Sequence, residues 1–386
     1  MPKTIPYSTQ WIDKDDIKAV TEVLKSDWIT QGPKIAEFES AIARYVGAKF
    51  GVAVNSGTSA LLSACFAAGI KKDDEVITTP YTFSASANCF VWLGATPVFV
   101  DIEEKTLNIN AKKIEKAVTK KTKAILTVDF AGAPCKYDEI LKIAKKHNLV
   151  VIDDAAHALG SQYRDKKLGT IVDLTCFSFH PVKTITTGEG GMMVTNSEKF
   201  YQKLLLFRNH GITKDEKFLT KNEGGWYYEM RQLGLNFRFT DIQAALGFSQ
   251  LKKIEKFIER RREIVEIYNK AFANLPVILP FEPENTKSAW HLYPIRLKLE
   301  KLKVTRRKIF EELQKAGLGV QVHYIPIHLQ PYYMKTFGTK AADFPIAEKA
   351  YQEEISLPLY PKMTNSQINY VIKTFTKILK KNQIQT

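Results

Sequence analysis

Seven short apolar runs, rich in β-branched residues, recur in the first half of the chain, and helical patterns separate most of them. The runs span residues 51–56, 74–80, 96–102, 122–130, 149–155, 174–179 and 190–196. The segment YDEILKIAKKHN places Ile140, Leu141 and Ala144 on one helix face and lysines on the other. Such alternation is typical of an α/β layer with a mostly parallel, buried sheet. Glycines directly before the last run indicate that it returns as a hairpin strand.

The pattern changes after about residue 240. The segment AALGFSQLKKIEKFIERRREIVEIYNKAF predicts one long amphipathic helix, and shorter strand and helix patterns follow it. We therefore predict two domains. Residues 1–245 form an N-terminal arm and a large domain, and residues 246–386 form a small C-terminal α/β domain that begins with the long helix.

The chain of 386 residues is basic, with 56 Lys and Arg against 41 Asp and Glu and a net charge of +15. Such an excess of positive charge attracts anionic partners such as nucleic acid, anionic lipid or phosphorylated metabolites. Most lysines, however, alternate with acidic or apolar residues at helical spacing, as they do on a solvated helix face. No Arg-rich tail or nucleic-acid-binding motif accompanies them. We therefore expect no nucleic-acid partner.

Membrane, secreted and metal-binding classes also lack support in the sequence. No apolar run reaches the ~20 residues of a transmembrane helix, and the N-terminus has no apolar signal region. Four cysteines lie far apart without metal-ligand spacing: Cys65, Cys89, Cys135 and Cys176. They read as buried apolar residues in a reducing compartment. We expect a cytoplasmic protein with no membrane contact and no metal site.

Ligands of open α/β sheets bind beyond the carboxyl ends of the strands, so the residues after each run are the candidates. Asn55-Ser56-Gly57-Thr58-Ser59 follows the first run and precedes a helix. Its free N–H groups and the Thr58 and Ser59 hydroxyls can hold a phosphate. An ordinary helix N-cap would use the same residue types. The segment is neither a dinucleotide-binding nor a P-loop motif.

Two further strand ends carry side chains that suit a heterocyclic ring. Phe83 follows the second run and can stack on a planar ring, or it can simply cap the core. Asp153 and Asp154 end a buried strand, where a charge is costly unless it is paired. The two carboxylates could bind a metal ion, but the sequence offers too few further ligands for one. A single carboxylate that keeps the nitrogen of a heterocyclic ring protonated is the better interpretation. His157 lies about one turn beyond.

Lys183 follows the strand around Ser178 and precedes a Gly-rich turn, in the segment FSFHPVKTITTGEGG. A desolvated lysine there would have a lowered pKa and act as an amine nucleophile. A lysine whose stem only packs at the strand end is the structural alternative. A phosphate site, a ring stacker, a carboxylate for a ring nitrogen and a nucleophilic lysine together match pyridoxal 5′-phosphate (PLP).

The motifs NSGTSALL, TTPYTFSASAN, VIDDAAHALGS, FSFHPVKTITTGEGG, LGLNFRFTDIQAALG and HLYPIRL resemble the DegT/DnrJ-type family of PLP-dependent nucleotide-sugar aminotransferases. The resemblance covers residues 8 to 360. It implies the aminotransferase type I-like fold, with a large PLP-binding domain and a smaller C-terminal domain. VDFAG, HALGSQY and VQVHYIPI are most similar to the aminotransferases of pseudaminic acid biosynthesis. These aminate the 4-keto group of a UDP-linked 2-acetamido-2,6-dideoxy-L-hexose with glutamate as donor.

The resemblance also implies a role for each site residue. Lys183 would bind the cofactor covalently and move protons, while Asp154 would pair with the pyridine nitrogen. The other cofactor contacts would be His157, Phe83, Thr58, Ser59, Ser178 and, from the second subunit of a homodimer with a shared site, Asn236. Substrate contacts would be Arg238, His323, Tyr324 and His180.

Three alternatives remain at this stage. Another 3- or 4-keto-6-deoxy nucleotide sugar could be the acceptor. Keto-sugar dehydratases resemble this family but have His at the lysine position, and Lys183 argues against them. A basic nucleic-acid-binding protein on this scaffold would have no use for the Asp154 and Lys183 pair.

Overall fold

A computed structural model describes residues 4–384 of the protein. The strands are β1 (Phe50–Val54), β2 (Glu75–Thr78), β3 (Thr96–Phe99), β4 (Thr122–Val128), β5 (Val150–Asp154), β6 (Gln162–Tyr163), β7 (Lys166–Lys167), β8 (Leu174–Ser178), β9 (Gly191–Thr195), β10 (Ile212–Thr213), β11 (Glu229–Met230), β12 (Val277–Ile278), β13 (Thr286–Lys287), β14 (Tyr293–Leu297) and β15 (Glu354–Leu357). All seven predicted runs are strands.

Thirteen α-helices connect these strands within the described residues. They are α1 (Lys14–Leu24), α2 (Pro33–Val46), α3 (Gly57–Ala67), α4 (Ala85–Val91), α5 (Ala111–Ala117), α6 (Tyr137–His147), α7 (Glu198–Arg208), α8 (Asp241–Leu251), α9 (Ile254–Phe272), α10 (Arg306–Lys315), α11 (Pro331–Phe337), α12 (Pro345–Glu353) and α13 (Asn365–Asn382). None of the helices in residues 4–384 has the length and apolar character needed to span a membrane.

The central sheet has seven strands in the order β1-β9-β8-β5-β4-β2-β3. β2, β3, β4, β5 and β8 pair in parallel. β9 pairs antiparallel with both β8 and β1, so it is the predicted hairpin return. The predicted α/β fold with a mostly parallel sheet is confirmed.

Both faces of this sheet are covered by apolar residues. Along β1, Ala53 packs in one hydrophobic cluster, whereas Val52 and Val54 pack in the cluster on the opposite face. Successive strand residues point to opposite faces, so a strand buried on both sides needs the continuous apolar run seen here.

A third cluster lies around the small sheet β12-β14-β15 and is completed by α9, α10 and α13. Ile258 of α9 packs in the cluster of the large sheet, while Ile264 on the same helix packs in the third cluster. α9 therefore spans both units. Ile5, from the predicted arm, also packs in the third cluster. The domain limits at residue 245 stay a prediction.

The prediction of one long helix after residue 240 is wrong, because α8 and α9 are separate. A capping box at Thr240 begins α8, and Lys253 leaves helical geometry with φ −109° and ψ 0°. The ammonium of Lys253 lies 2.8 Å from an Asp13 oxygen and 2.7 Å from an Asp16 oxygen. These ion pairs fix the break against the N-terminal helix.

Candidate active site

The carboxyl ends of β1, β2, β5 and β8 meet at one edge of the sheet and surround a cavity of about 380 Å³. Most of the predicted site residues line it. They are Thr58, Phe83, Asp154, His157, Ser178, His180, Lys183, His323 and Tyr324. Segments far apart in the chain thus come together where the strand ends predicted a ligand.

Asp154 is the last residue of β5 and is buried at the base of the cavity. Its Oδ2 accepts a hydrogen bond of 2.6 Å from the Ser86 hydroxyl, and its Oδ1 accepts one of 3.2 Å from the Ala156 N–H. The Thr82 hydroxyl lies 2.8 Å from Ser86 and donates to it in turn. Burial raises the pKa of Asp154, and these donors and the charge of Lys183 oppose that rise.

Lys183 lies in the turn after β8, where its N–H donates to the His180 carbonyl at 2.9 Å. Its side chain is half-buried and enters the cavity. Burial lowers the pKa of Lys183 to about 8, although the nearby Asp154 carboxylate favours the charged amine. A lowered pKa supplies the neutral amine that a nucleophilic lysine requires.

The N-terminus of α3 faces the cavity opposite Ser178. The N–H groups of Gly57 and Thr58 belong to the first turn and have no intrahelical acceptor. A Cβ atom on Gly57 would lie only 2.9 Å from the Ser178 Cβ, so glycine keeps this cradle open. Ser59 lies behind it: its hydroxyl donates to the Asn55 side chain at 2.6 Å and its N–H to Ser56 at 3.0 Å.

A histidine and a tyrosine form a polar wall beside the carboxylate. The Ala131 N–H donates to Nδ1 of His157 at 3.3 Å, so the ring proton lies on Nε2. That Nε2–H donates to the Tyr324 hydroxyl at 3.1 Å. Burial, with the charge of Lys183, lowers the pKa of His157 well below its usual range. The ring is therefore neutral, and its orientation is fixed.

The rim of the cavity carries exposed side chains. Phe83 is 60% exposed and lies with its ring centroid 5.9 Å from that of Tyr324. His180 is also exposed, and burial of part of its ring lowers its pKa. An exposed aromatic ring in the lining of a cavity is available to stack on a planar ligand.

Asn236 and Arg238 do not lie in this cavity. Asn236 is exposed and forms a bridge with Asn209. Arg238 donates to the Asn209 side chain at 2.8 Å and lines another cavity, of about 460 Å³. Within one chain the structure does not bring these two residues to Lys183.

Several residues that line or support the cavity were not predicted. Ser86 and Thr82 hold Asp154 through the hydrogen bonds described above. His291 and Tyr7 also line the cavity; the His291 ring centroid lies 4.4 Å from that of His157, and its buried Nδ1 has no partner among the described residues. TFSASAN offered one signal, since Thr82 and Ser86 lie one helical turn apart.

These residues fit PLP. The cradle at Gly57 and Thr58 supplies N–H donors for a phosphate, and a side chain on Gly57 would fill it. Asp154 supplies a buried carboxylate and Lys183 an amine of lowered pKa in the same cavity. Hydrogen-bond donors for an anion, a carboxylate for a ring nitrogen and a nucleophilic amine are the groups that this cofactor needs.

The fold and the site define a sugar aminotransferase that depends on PLP. The DegT/DnrJ/EryC1/StrS aminotransferase family matches residues 10–376, and the chain belongs to it. It is 45% identical over 378 residues to the spore coat polysaccharide biosynthesis protein SpsC of Bacillus subtilis, covering 97% of each chain. It is 42% identical over 381 residues to the UDP-4-amino-4,6-dideoxy-N-acetyl-beta-L-altrosamine transaminase of Campylobacter jejuni, covering 98% of each.

Among solved structures, Helicobacter pylori PseC matches with a TM-score of 0.92 at 36% identity. The match covers 98% of this chain and 100% of PseC, an aminotransferase involved in the biosynthesis of pseudoaminic acid. The resemblance to the DegT/DnrJ-type family is therefore confirmed, and so is the aminotransferase fold.

Proposed function

We propose that the protein transfers the amino group of L-glutamate to C4 of a UDP-linked 2-acetamido-2,6-dideoxy-hexos-4-ulose. With the L-arabino sugar, the products are UDP-4-amino-4,6-dideoxy-N-acetyl-beta-L-altrosamine and 2-oxoglutarate. The aminotransferase part of the proposal rests on the observation that Lys183 and Asp154 line the same cavity. The 42% identity to a transaminase of that name supports the acceptor.

PLP, when bound, supplies an electron sink for the carbanion formed at the Cα of the amino donor. Lys183 would hold the cofactor and then take the Cα proton with its neutral Nζ, for which a pKa of about 8 is suitable. The ionised Asp154 would keep the ring nitrogen protonated. The Gly57 and Thr58 N–H groups and the Ser178 hydroxyl would hold the phosphate, and Phe83 would stack on the ring.

His157, His180, His323 and Tyr324 would complete the site. His157 would lie beside the cofactor ring as a neutral imidazole. His323, Tyr324 and His180 would contact the sugar nucleotide. The Ser59 hydroxyl already donates to Asn55, so we assign Ser59 a support role for the cradle.

We propose a cytoplasmic homodimer in which each site is completed by the partner chain. Asn236 and Arg238 lie outside the cavity of their own chain, as residues that reach a neighbouring site would. Large apolar side chains in the segment that precedes them in the chain are exposed, including Trp226 at 73% and Leu233 at 75%. A second copy would cover such a surface. Four free, buried cysteines suit a reducing compartment.

The 45% identity to SpsC favours a second candidate acceptor, because that protein belongs to spore coat polysaccharide biosynthesis. A different 3- or 4-keto-6-deoxy nucleotide sugar, a D-series UDP sugar or a dTDP sugar, is this second candidate. A panel of such keto sugars with glutamate, analysed by NMR of the products, separates the two. We expect the highest kcat/KM with the L-arabino UDP sugar; a preference for another member would replace it.

A further inference from the structure

A hydrogen-bonded chain of three buried side chains runs away from the cavity behind His323. Nδ1 of His323 lies 2.8 Å from the Ser356 hydroxyl oxygen. That hydroxyl lies 2.5 Å from Oε1 of Glu354. The other carboxyl oxygen of Glu354 accepts the backbone N–H of His323 at 2.8 Å. Because Nδ1 is occupied, Nε2 is the ring nitrogen that His323 can offer to the cavity.

The strand geometry explains why these groups meet. Glu354 and Ser356 are two residues apart on β15, so their side chains share one face of the strand. Ser356 also pairs through its backbone with Gln321, two residues before His323. His323, Ser356 and Glu354 are 8%, 1% and 0% exposed. Water therefore has little access to the chain, and each group depends on the others for its hydrogen bonds.

We propose that Ser356 and Glu354 are positioning residues that set which ring nitrogen of His323 carries the proton, and thereby whether His323 presents a donor or an acceptor to the bound sugar nucleotide. The proposal deepens the proposed function and rests on it for the identity of the ligand. The hydrogen-bonded chain itself is independent of the ligand.

Two arrangements satisfy every hydrogen bond. With Glu354 ionised, the Ser356 hydroxyl donates to the carboxylate, so Nδ1–H of His323 must donate to Ser356 and Nε2 is an acceptor. With Glu354 protonated, the carboxyl donates to Ser356, which donates to Nδ1, so the ring proton moves to Nε2 and makes it a donor. Protonation of Glu354 therefore changes Nε2 of His323, the ring nitrogen offered to the cavity, from a hydrogen-bond acceptor into a donor.

The switch falls in an accessible pH range. Burial raises the pKa of Glu354 to about 8, and burial, with the charge of Lys183, lowers the pKa of His323 to about 3. His323 thus stays neutral while Glu354 titrates. The other charged and titratable groups that face Glu354 come from separate elements: Arg306 of α10, Arg296 of β14, Tyr81 after β2 and Tyr324.

The first test reads the tautomer directly, without cofactor turnover. Protein labelled with ¹⁵N-histidine is followed by NMR as the pH crosses the pKa of Glu354, and His323→Gln assigns the signals. We expect the His323 proton to move from Nε2 to Nδ1 as the pH rises. In Glu354→Gln the amide oxygen accepts the His323 backbone N–H, so the amide NH2 donates to Ser356 and the ring proton should stay on Nε2 of His323. The proposal would be overturned if the tautomer of His323 did not change with pH in the unmodified protein.

Two more variants keep the test sound if Glu354→Gln folds poorly. Ser356→Ala removes the hydroxyl that links Glu354 to His323, so the tautomer of His323 should no longer change with pH. Glu353→Gln is the matched control: Glu353 is adjacent, contacts Arg296 at 3.4 Å and has no bond to Ser356 or His323 among the described contacts. In Glu353→Gln the tautomer of His323 should change with pH as it does in the unmodified protein. Unmodified pH dependence in Ser356→Ala would overturn the proposal.

Steady-state kinetics then test whether this set of hydrogen bonds affects binding of the sugar nucleotide. The KM for the sugar nucleotide should change about five-fold across the titration, which is the effect of one net hydrogen bond. This step should vanish in Glu354→Gln. Any pH dependence that comes from Lys183 is common to the unmodified protein and Glu354→Gln, so the comparison of the two isolates the effect of Glu354. A pH-dependent tautomer in a protein that aminates no sugar nucleotide would overturn the proposed function alone. Amination with a fixed tautomer would overturn this inference alone.

Discussion

Ser86 supports Asp154 more strongly than any other donor in the described structure, and its removal should change cofactor binding in a pH-dependent way. The Ser86 hydroxyl lies 2.6 Å from Oδ2 of Asp154, and both residues are buried. A hydrogen bond to a charged group contributes about 1.5–3 kcal/mol. Because this bond favours the ionised carboxylate, Ser86→Ala should raise the pKa of Asp154 by about 1–2 units.

The assay is the affinity of the apoprotein for PLP, measured by absorbance titration over a series of pH values. Only the ionised Asp154 pairs with a protonated ring nitrogen, so affinity should fall at low pH as Asp154 gains a proton. In Ser86→Ala this fall should begin about 1–2 pH units higher, and affinity should be about 10- to 100-fold weaker in that window. Ser84→Ala is the control, since Ser84 makes no capping bond.

The reasoning would be refuted if folded Ser86→Ala bound PLP with the pH dependence of the unmodified protein. A shift toward lower pH would refute it as well, because it would mean that Ser86 favours the protonated carboxyl.

Three further predictions concern the same cavity. Asp154→Asn removes the charge that favours the lysine cation, so the pH at which PLP binds fastest to Lys183 should fall below about 8; a rise contradicts the effect assigned to the Asp154 charge. Gly57→Ala should weaken PLP binding at least about ten-fold by filling the cradle, whereas Gly225→Ala, with open space around it, should not; equal affinities contradict the phosphate assignment. A 1:1 mixture of Lys183→Ala and Asn236→Ala chains that exchange subunits should regain about a quarter of the activity, because half of the dimers are mixed and each mixed dimer has one intact site of two; no recovery contradicts a shared site.

The central sheet could be predicted from the sequence because its strands are buried on both faces. Burial of that kind requires continuous apolar runs, and each run became a strand. Lys183 and Asp154 could be predicted for a related reason. Asp154 lies at the end of one such run and Lys183 four residues beyond another, where the desolvation of a charged side chain has to be compensated.

The support of the site could not be predicted in the same way. Ser86 and Asp154 are 68 residues apart, and a serine near a helix start usually indicates only a cap. The bond from Glu354 through Ser356 to His323 joins two separate elements of the small unit. Such contacts depend on tertiary packing, which residue patterns do not encode locally.

The break between α8 and α9 was missed for another reason. Lys252 and Lys253 continue the amphipathic pattern, and both are good helix formers. The break depends on the ion pairs of Lys253 with Asp13 and Asp16, which lie more than 200 positions earlier. Local propensity was overridden by a distant contact.

The most direct test of the proposed amino transfer uses ¹⁵N-labelled L-glutamate with the purified holoenzyme and the L-arabino UDP-4-keto sugar. NMR should show ¹⁵N bonded to C4 of the sugar, with one 2-oxoglutarate formed for each amino sugar, and Lys183→Ala should give neither product. A sugar product without ¹⁵N, or an unimpaired Lys183→Ala variant, would contradict the proposal that Lys183 moves the amino group of glutamate onto the sugar.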